Sequence, residues 1–312
     1  MTTKPVLKSL TQGKTVDGNY LDIFRVQTEA LLAIHDFLYR EELVQLMPVI
    51  LSPVTDPLNH SVYDATITYN NQQLQLTKSM ILHKQVAIST LDNRGIYIVS
   101  PNVRLEKGLH TYRHLLEFSQ LDIELREASA REFMTLMENL MVCIFRRVKI
   151  TCSEELERLG SEIRLPKRPF NVYTSMSLLE EYGSGYESEI SHIEKDPFWI
   201  TDFEREFYDK EDPNNRGHYI NYDLFYPEGY QEALSGGERD YEYDVLLRKI
   251  RERGQDPSDF DIYLEYAKNG LLRPSAGGGL GIERLVRFLT KRIHIRETTL
   301  FPKVPDDSIL KM

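Results

Sequence analysis

The chain has 312 residues, a formal net charge of −10, 41% hydrophobic residues and two cysteines. This length allows one large domain or two of ordinary size. The acidity argues against a protein whose main task is binding nucleic acid, because an acidic chain gains little binding free energy from counterion release. No apolar run could span a bilayer, and residues 1–20 lack the core of a signal peptide. Because Cys143 and Cys152 form no disulfide framework or metal pattern, we expect a cytoplasmic protein without membrane contact.

The hydrophobic pattern divides the chain into helices and strands that do not alternate regularly. Helical spacing recurs over roughly 21–43 and again over 129–158, where Ser129 and Glu132 form a capping box. The other predicted elements are strands at 63–69, 95–100, 117–125 and 219–227, a glycine-rich turn at 234–241, helices at 242–253 and from 257, and a last helix at 282–291. This order indicates an α+β fold rather than strict βαβ alternation.

The glycine-rich segment AGGGLGIERL, 276–285, is the first candidate site. It lies at a predicted strand-to-helix transition, where backbone without side chains lets a flat or phosphorylated ligand lie against the sheet. Arg284 follows in the helix, and a guanidinium on a rigid helix can hold a phosphate with two parallel hydrogen bonds. The segment matches neither the dinucleotide nor the P-loop fingerprint. A plain turn before a surface helix is the alternative interpretation.

A second candidate site is NVRLEKGLHTYRHLLEFSQLDIEL, 102–125, which is typical of a strand, a basic loop and another strand. Arg104 and Glu106 share one face of the incoming strand. The outgoing strand carries Gln120 and Asp122 on a face that should be partly covered. Because buried charges need partners, the pattern favours a binding site over a charged hairpin tip in solvent.

A third candidate site is YDLFYPEGYQEALSGGERDY, 222–241, in which Asp223 and Glu232 flank a turn and Arg239 follows two glycines. Mg²⁺ is usually held by one or two protein carboxylates together with phosphate oxygens. Carboxylates close to a phosphate-binding arginine therefore favour a Mg²⁺ site. Taken alone, the segment fits a solvated acidic loop about equally well.

Together these segments resemble the class II aminoacyl-tRNA synthetases, above all the aspartyl and asparaginyl enzymes. The helix at 21–43 with Pro48 resembles their first motif, VRLEKGLHTYRHLLEF their second and GGGLGIERL their third. EALSGGERDYEY resembles their Gly-Gly-x-Arg segment, and LTKSMILHKQ is similar to the aspartyl enzyme's substrate loop. The resemblance covers roughly 25–305 in the family's order.

The resemblance implies a fold and an assembly. We expect a class II aminoacyl-tRNA synthetase-like domain, α+β, with a mostly antiparallel sheet of six or seven strands flanked by helices. It would occupy 21–312 after an N-terminal extension at 1–20. The first motif would form a two-fold interface and give a homodimer.

The resemblance also implies a nucleotide site with two catalytic arginines. Arg104 would contact the α-phosphate of ATP and the carboxylate being activated, while Arg284 would hold the γ-phosphate. The implied ATP site comprises Arg104, Glu106, His114, Phe118, Glu232, Gly281 and Arg284, and the implied Mg²⁺ ligands are Asp223, Glu232 and Ser235. Two more residues separate Asp223 from Glu232 than in the family pattern.

An amino-acid site is implied beside the nucleotide. Lys84 and Arg239 would contact a side-chain carboxylate, and lysine offers no acceptor for an amide, which favours aspartate over asparagine. Lys78 and Ile81 stand where the aspartyl pattern has glutamines, so aspartate need not bind as it does in a synthetase. The implied aspartate site comprises Asp56, Ser79, Lys84, Gln120, Asp122 and Arg239.

The first motif begins about 25 residues into the chain, which leaves no room before it for the five-stranded anticodon-binding barrel of the full enzymes. We therefore do not expect tRNA as a partner. A free-standing core resembles the archaeal asparagine synthetase-related paralogs, which implies that aspartate, free ammonia and ATP give asparagine, AMP and pyrophosphate through an aspartyl-adenylate. Two alternatives stay open. One is a truncated synthetase paralog that activates the α-carboxylate and aminoacylates tRNA or another acceptor, and the other is a non-catalytic regulatory paralog.

Overall fold

The computed structural model of the protein describes residues 19–58, 60–107 and 111–305. The expected N-terminal extension, 1–20, therefore lies almost entirely outside the described residues. No helix among the described residues is long and apolar enough to cross a membrane.

Strands of the described chain form one large sheet and two small ones. The strands are β1 (Val44–Gln45), β2 (Leu51–Ser52), β3 (Val62–Tyr63), β4 (Thr66–Tyr69), β5 (Gln72–Leu76), β6 (Gly95–Val103), β7 (Leu105–Glu106), β8 (Glu117–Arg126), β9 (Val172–Thr174), β10 (Phe198–Thr201), β11 (Asn221–Tyr226), β12 (Gln231–Glu238) and β13 (Ser275–Gly281). The large sheet has the order β1-β6-β8-β13-β12-β11-β10-β9, and the small sheets are β2-β5-β4 and β3-β7.

The large sheet is antiparallel except at its two ends, where β1 pairs parallel with β6 and β9 pairs parallel with β10. This confirms the expected α+β fold with a mostly antiparallel sheet. The eight strands exceed the six or seven expected, because β1 and β9 have only two and three residues. Such short strands cannot show a period-two pattern in the sequence.

Helices cover both faces of this sheet. They are α1 (Tyr20–Arg40), α2 (Ile81–Thr90), α3 (Ala130–Thr151), α4 (Ser153–Leu159), α5 (Ser175–Tyr182), α6 (Tyr186–Ile193), α7 (Tyr243–Glu252), α8 (Asp261–Lys268) and α9 (Ile282–Leu289), with 3₁₀ turns at Gly183–Gly185, Pro257–Phe260 and Ile295–Thr298. The main hydrophobic core lies between the sheet and helices α1, α3, α4 and α9. A second core joins α2, α7 and α8 on the other side.

The predicted helix over 129–158 is two helices in the structure. The capping box of Ser129 and Glu132 is present at its start. Cys152 leaves helical geometry, with φ −116° and ψ 28°, and α4 starts at the next residue. Leu156 and Leu159 of α4 belong to the same core as α3.

The predicted glycine-rich turn at 234–241 is wrong, because Gln231–Glu238 forms strand β12. This strand lies between β11 and β13 in the sheet. A Cβ added at Gly236 would collide with the Gly277 carbonyl oxygen of the neighbouring strand. Here glycine marks a close approach of two strands rather than a turn.

Candidate active site

Strand β8 presents polar side chains on one face and apolar ones on the other. Leu121, Ile123 and Leu125 belong to the main core. Between them Gln120, Asp122 and Glu124 alternate onto the opposite face, as the period of a strand requires. The sequence pattern predicted this alternation, and it supplies the floor of the candidate site.

The glycines of β13 make room for these polar side chains. Gly277 pairs with Glu124 across the strands, and a Cβ there would collide with the Glu124 carboxylate. A Cβ at Gly279 would collide with the amide of Gln120. At Gly281 the added atom would only touch Arg284 at 3.4 Å. The first two glycines therefore serve packing of the site's own side chains, where the sequence had suggested room for a ligand.

Two adjoining cavities open on this face, and we name them cavity 1 and cavity 2. Cavity 1 has a volume of about 260 Å³ and is lined by Asp56, Leu58, His60, Ser79, Ile81, Lys84, Arg104, Gln120, Asp122, Arg205, Glu206, Tyr208, Asp209, Glu232, Ser235, Gly236, Arg239 and Gly279. Cavity 2 has a volume of about 400 Å³ and is lined by His60, Arg104, Glu106, Thr111, Arg113, His114, Leu115, Phe118, Gln120, Glu232, Ala233, Ser235, Gly279, Gly281, Glu283, Arg284 and Ile295. Six residues line both cavities, Arg104 and Glu232 among them. Asp223 is the only member of the predicted site that lines neither cavity.

Lys84 lies in a closed ionic network at the floor of cavity 1. It sits in the first turn of α2 rather than in a loop, and it is 2% exposed. Its Nζ is 3.2 Å from Asp122 Oδ1 and 3.5 Å from Glu124 Oε2. It also donates to the Gly278 carbonyl at 3.2 Å. The lysine is therefore held in place before any ligand arrives.

Arg239 completes this network from β12's end. Its Nη1 donates to Asp209 Oδ1 at 2.7 Å, and its Nε donates to Glu124 Oε1 at 3.3 Å. Its Nη2 donates to the Gly277 carbonyl at 3.1 Å. A guanidinium has five N–H groups, so donors remain for a ligand in cavity 1. Lys84 and Arg239 are thus brought together as predicted, with Glu124 between them.

A second polar group lies beside this network. Asp56 Oδ2 accepts from the Ser79 hydroxyl at 2.8 Å, and its Oδ1 accepts from the Tyr208 hydroxyl at 3.0 Å. Gln120 Nε2 donates to Asp122 Oδ1 at 3.2 Å. Asp56 is held by neutral donors and Asp122 by Gln120 as well as by Lys84, so Asp56 is the carboxylate better suited to bind a further ammonium group.

Sequence analysis missed the residues that the segment 202–212 contributes to cavity 1. Tyr208 and Asp209 support the network, and Glu206 lines the cavity. Burial, with the charges of Asp56 and Asp209, raises the pKa of Glu206 to about 7. The segment has no period of a helix or strand, and its only signal is a pair of aromatic residues flanked by charged residues in EREFYDK.

Cavity 2 brings together the predicted phosphate-binding side chains. Arg284 Nη1 lies 2.8 Å from Glu232 Oε1, and Arg284 Nη2 lies 3.3 Å from His114 Nε2. Burial, together with Arg284 and Arg113, lowers the pKa of His114 to about 3. The imidazole is therefore neutral near pH 7 and can accept a hydrogen bond from Arg284.

The predicted adenine-binding side chains line the same cavity. The Arg104 guanidinium carbon lies 5.2 Å from the centroid of the Phe118 ring, and Arg104 Nε donates to the Lys78 carbonyl at 3.0 Å. Glu106 Oε2 lies 3.0 Å from His60 Nε2. An aromatic face and a buried carboxylate in the lining of one cavity suit a flat heterocycle that carries an amino group.

The predicted Mg²⁺ ligands do not fit the ion equally well. Burial alone would raise the pKa of Glu232, but Arg284 and Arg113 together lower this pKa to about 2, so the carboxylate is ionised. Glu232 lines both cavities. Asp223 is 2% exposed and its Oδ2 accepts from Arg205 Nη2, while Arg205 Nη1 donates to the Ser235 hydroxyl. The described residues hold no cluster of three or more His, Cys, Asp or Glu suited to a metal. Glu232 fits one Mg²⁺ together with phosphate oxygens, and Asp223 does not.

Known proteins are similar to this chain in sequence and in fold. The asparagine–tRNA ligase of Pyrococcus abyssi is 31% identical over 302 residues, which cover 91% of this chain and 68% of that protein. The aspartate–tRNA(Asp/Asn) ligase of Methanopyrus kandleri is 33% identical over 301 residues, which cover 90% of this chain and 67% of that protein. The crystal structure of Pyrococcus horikoshii asparaginyl-tRNA synthetase complexed with asparaginyl-adenylate matches with a TM-score of 0.84 at 27% identity, covering 93% and 70%.

These relatives correct the function expected from the sequence. They are named as ligases that join asparagine or aspartate to tRNA. The expectation of an asparagine synthetase that consumes ammonia is therefore wrong. The related expectation that tRNA is not a partner finds no support in them either.

The family described as tRNA synthetases class II (D, K and N) matches residues 13–305. That range includes every strand of the large sheet and every residue that lines the two cavities. The chain therefore belongs to the class II tRNA synthetases of the D, K and N group.

Proposed function

We propose that this chain activates aspartate at its α-carboxylate with ATP, forming an aspartyl-adenylate and releasing pyrophosphate. The observation that carries the proposal is the position of Lys84 and Arg239 at the floor of cavity 1, which joins cavity 2 at Arg104. Aspartate fills cavity 1 with its side-chain carboxylate on these two cations. ATP fills cavity 2, with its adenine ring against Phe118.

The residues at the junction suit the chemistry of adenylate formation. A carboxylate oxygen attacks the α-phosphorus in line, the new P–O bond forms, and pyrophosphate leaves with the electron pair of the broken bond. Arg104 lines both cavities and can contact the attacking carboxylate and the α-phosphate together. Arg284 stabilises charge on the leaving pyrophosphate. When bound at Glu232, Mg²⁺ supplies further positive charge to the phosphate oxygens.

The amino-acid backbone is held by the remaining polar side chains of cavity 1. Asp122 and Asp56 receive the α-ammonium, and Gln120 and Ser79 orient these carboxylates through the hydrogen bonds described above. In this proposed orientation of aspartate the α-carboxylate faces Arg104, as the formation of an α-adenylate requires.

The acceptor of the activated aspartate is the 3′ end of a tRNA or another nucleophile. The names of the relatives favour tRNA. The protein acts as a homodimer through its first motif. Four apolar side chains in and beside β1 and β2 are exposed there, with Met47 at 83% and Ile50 at 53% next to Val44 and Leu51. An apolar patch of this kind marks a protein interface.

Asparagine is the second candidate substrate, and one observation favours it. Lys84 and Arg239 already contact three buried carboxylates, Asp122, Glu124 and Asp209. An aspartate side chain adds a fourth negative charge to two cations, whereas an amide adds none. Two N–H groups of the amide would need acceptors, and Glu124 Oε2 is buried without a hydrogen bond.

Pyrophosphate exchange into ATP tests the proposal and separates the two substrates. We expect exchange with aspartate to be at least about 10 times faster than exchange with asparagine. A tenfold difference in rate corresponds to about 1.4 kcal/mol. Hydroxylamine should trap the product as the α-hydroxamate of aspartate. Faster exchange with asparagine would assign the second substrate. Exchange with neither amino acid would overturn adenylate formation itself.

A further inference from the structure

Arg205 is a largely buried cation of cavity 1 that no motif of the sequence marks, and it contacts Ser235, which lines both cavities. It follows β10, its side chain is 16% exposed, and its guanidinium carbon lies 4.5 Å from the centroid of the Phe203 ring. It donates through Nη2 to Asp223 and through Nη1 to Ser235. Asp223 and Ser235 face each other in register on β11 and β12. Two rigid strands therefore fix the position of this guanidinium.

The Asp223 carboxylate pairs with Arg205 and does not face a space that could hold a metal ion. Its Oδ2 accepts from Arg205, and its Oδ1 is buried without a hydrogen-bond partner. It lines neither cavity, whereas Arg205 lines cavity 1 and Ser235 lines both. A metal ion at Asp223 would have to displace a buried ion pair and leave a guanidinium uncompensated, which is costly.

We propose that Arg205 supplies the fixed positive charge for the phosphate groups of ATP at the place where the sequence had suggested a Mg²⁺ ligand in Asp223. This inference rests on the proposed function. Arg205 contacts a non-bridging oxygen of the α- or β-phosphate through the N–H groups that Asp223 and Ser235 leave unused. Asp223 is a positioning residue that holds the guanidinium, and Glu232 is the protein carboxylate that binds the divalent cation.

A fixed guanidinium and a bound ion neutralise the same charge by different means. As the bond from the α-phosphorus to pyrophosphate breaks, negative charge moves onto the pyrophosphate oxygens. Arg205, already held in place, stabilises that charge without moving. The guanidinium keeps its charge in proteins and is part of the chain, so its contribution needs no free metal ion.

Counting bound Mn²⁺ by electron paramagnetic resonance tests the assignment, with α,β-methylene-ATP present as the probe. Asp223→Asn should bind as many Mn²⁺ ions per chain as the wild type, and Glu232→Gln should bind fewer. Arg205→Gln should lower the affinity for the nucleotide by about 10- to 100-fold, and Arg205→Lys should recover part of that loss. Fewer Mn²⁺ ions in Asp223→Asn would overturn the proposal. Wild-type nucleotide affinity in Arg205→Gln would overturn it as well.

The double variant Arg205→Gln with Asp223→Asn guards against misfolding of a single variant. It replaces the buried ion pair by two amides that can hydrogen-bond each other, so neither charge is left unpaired. It should keep the wild-type Mn²⁺ count and lose the same nucleotide affinity as Arg205→Gln. Neither readout uses an amino acid. A wild type without aspartate- or asparagine-dependent exchange would therefore overturn the proposed function, while the Mn²⁺ counts would still decide the role of Arg205.

Discussion

The two cavities hold their charged side chains in different ways. At the floor of cavity 1, Lys84, Arg239 and Glu124 are at most 4% exposed, and each contacts several partners on neighbouring elements. In cavity 2, the side chains of Arg284 and Glu232 are 20% and 31% exposed and form an ion pair with each other. Cavity 1 is thus built before substrate arrives, whereas cavity 2 must exchange partners when a nucleotide binds.

This difference explains which substrate each cavity can discriminate. A rigid network of buried charges penalises a ligand whose charge or shape is wrong, because none of its members can turn to water. Water reaches the ion pair of Arg284 and Glu232, so a nucleotide can replace either partner more easily than in the buried network of cavity 1. Cavity 1 is therefore suited to select the amino acid, and cavity 2 to bind and release a large anion.

The strongest test of the prebuilt network is Lys84→Met. Asp122 and Glu124 lose their cation while buried, so we expect the free energy of unfolding to fall by about 3–5 kcal/mol. Amino-acid-dependent exchange should be lost, while calorimetry still detects ATP binding. Lys78→Met is the control for the stability measurement, since Lys78 is also buried and forms no ion pair with a described residue, and its loss should cost less. Lost ATP binding with retained aspartate binding would contradict the assignment of cavity 1.

Arg284→Gln tests the exchangeable pair of cavity 2. We expect pyrophosphate exchange to slow by about 10²–10³-fold, the usual cost of removing one preorganised donor from a developing charge. Urea denaturation should change little, because Glu232 remains within reach of water.

Arg287→Gln provides the control for that variant. Arg287 lies on the same helix, donates to the Ile293 carbonyl at 3.0 Å and lines neither cavity. Its substitution should leave the exchange rate unchanged. Equal losses in both variants would mean that α9 is merely perturbed and that Arg284 has no special role.

Two glycines of β13 differ in the space that an added Cβ would find. Gly277→Ala should lower the free energy of unfolding by about 1–3 kcal/mol, because the added Cβ would overlap the Glu124 carboxylate and the Ile123 carbonyl. Gly281→Ala, in the same strand, should change it by less than about 0.5 kcal/mol. Urea unfolding of the two variants makes the comparison. Equal stability of the two would show that the network of cavity 1 can shift and is less rigid than we infer.

The smallest effect concerns Glu206 and pH. Its ordinary pKa is 4.5, and burial with Asp56 raises the pKa in the folded protein to about 7. The folded state is then destabilised as pH rises from about 4.5 to 7, where the unfolded chain has already released this proton. Glu206→Gln removes this cost and should raise the free energy of unfolding relative to wild type at pH 8, with no gain at pH 4.

Urea unfolding of Glu206→Gln at both pH values measures this effect. Glu204→Gln is the control, because Glu204 lies in the same segment but is exposed and lines neither cavity. Its effect should be the same at both pH values. A gain for Glu206→Gln at pH 4 as large as at pH 8 would contradict the raised pKa.

Local patterns in the sequence were enough to predict the parts of the fold in which one face is buried. The helix over 21–43, the capping box of Ser129 and the alternation along β8 all follow from periodicity and from side-chain chemistry within a few residues. The pattern failed in 234–241, where glycines indicate a turn. Only the tertiary pairing of β12 with β13 makes them strand residues.

The candidate site shows the same limit. The predicted ATP-site residues come from long sequence motifs, and all of them line cavity 2. In cavity 1 the sequence identified Lys84 and Arg239 as contacts for a substrate, but it could not show that Glu124 and Asp209 already contact them. The arginine that holds Asp223 was missed for a related reason. Arg205 lies in an aperiodic segment, and nothing local relates it to β11.

The alternation along β8 limits how this scaffold can be altered. Deleting one residue from the strand would turn Gln120, Asp122 and Glu124 into the apolar interior and expose Leu121 and Ile123 in their place. Libraries that seek a new amino-acid preference should therefore keep the length of β8 fixed and vary side chains alone. Changes of length belong in irregular segments such as 202–212, where an insertion reshapes one wall of cavity 1 while the strand register is preserved.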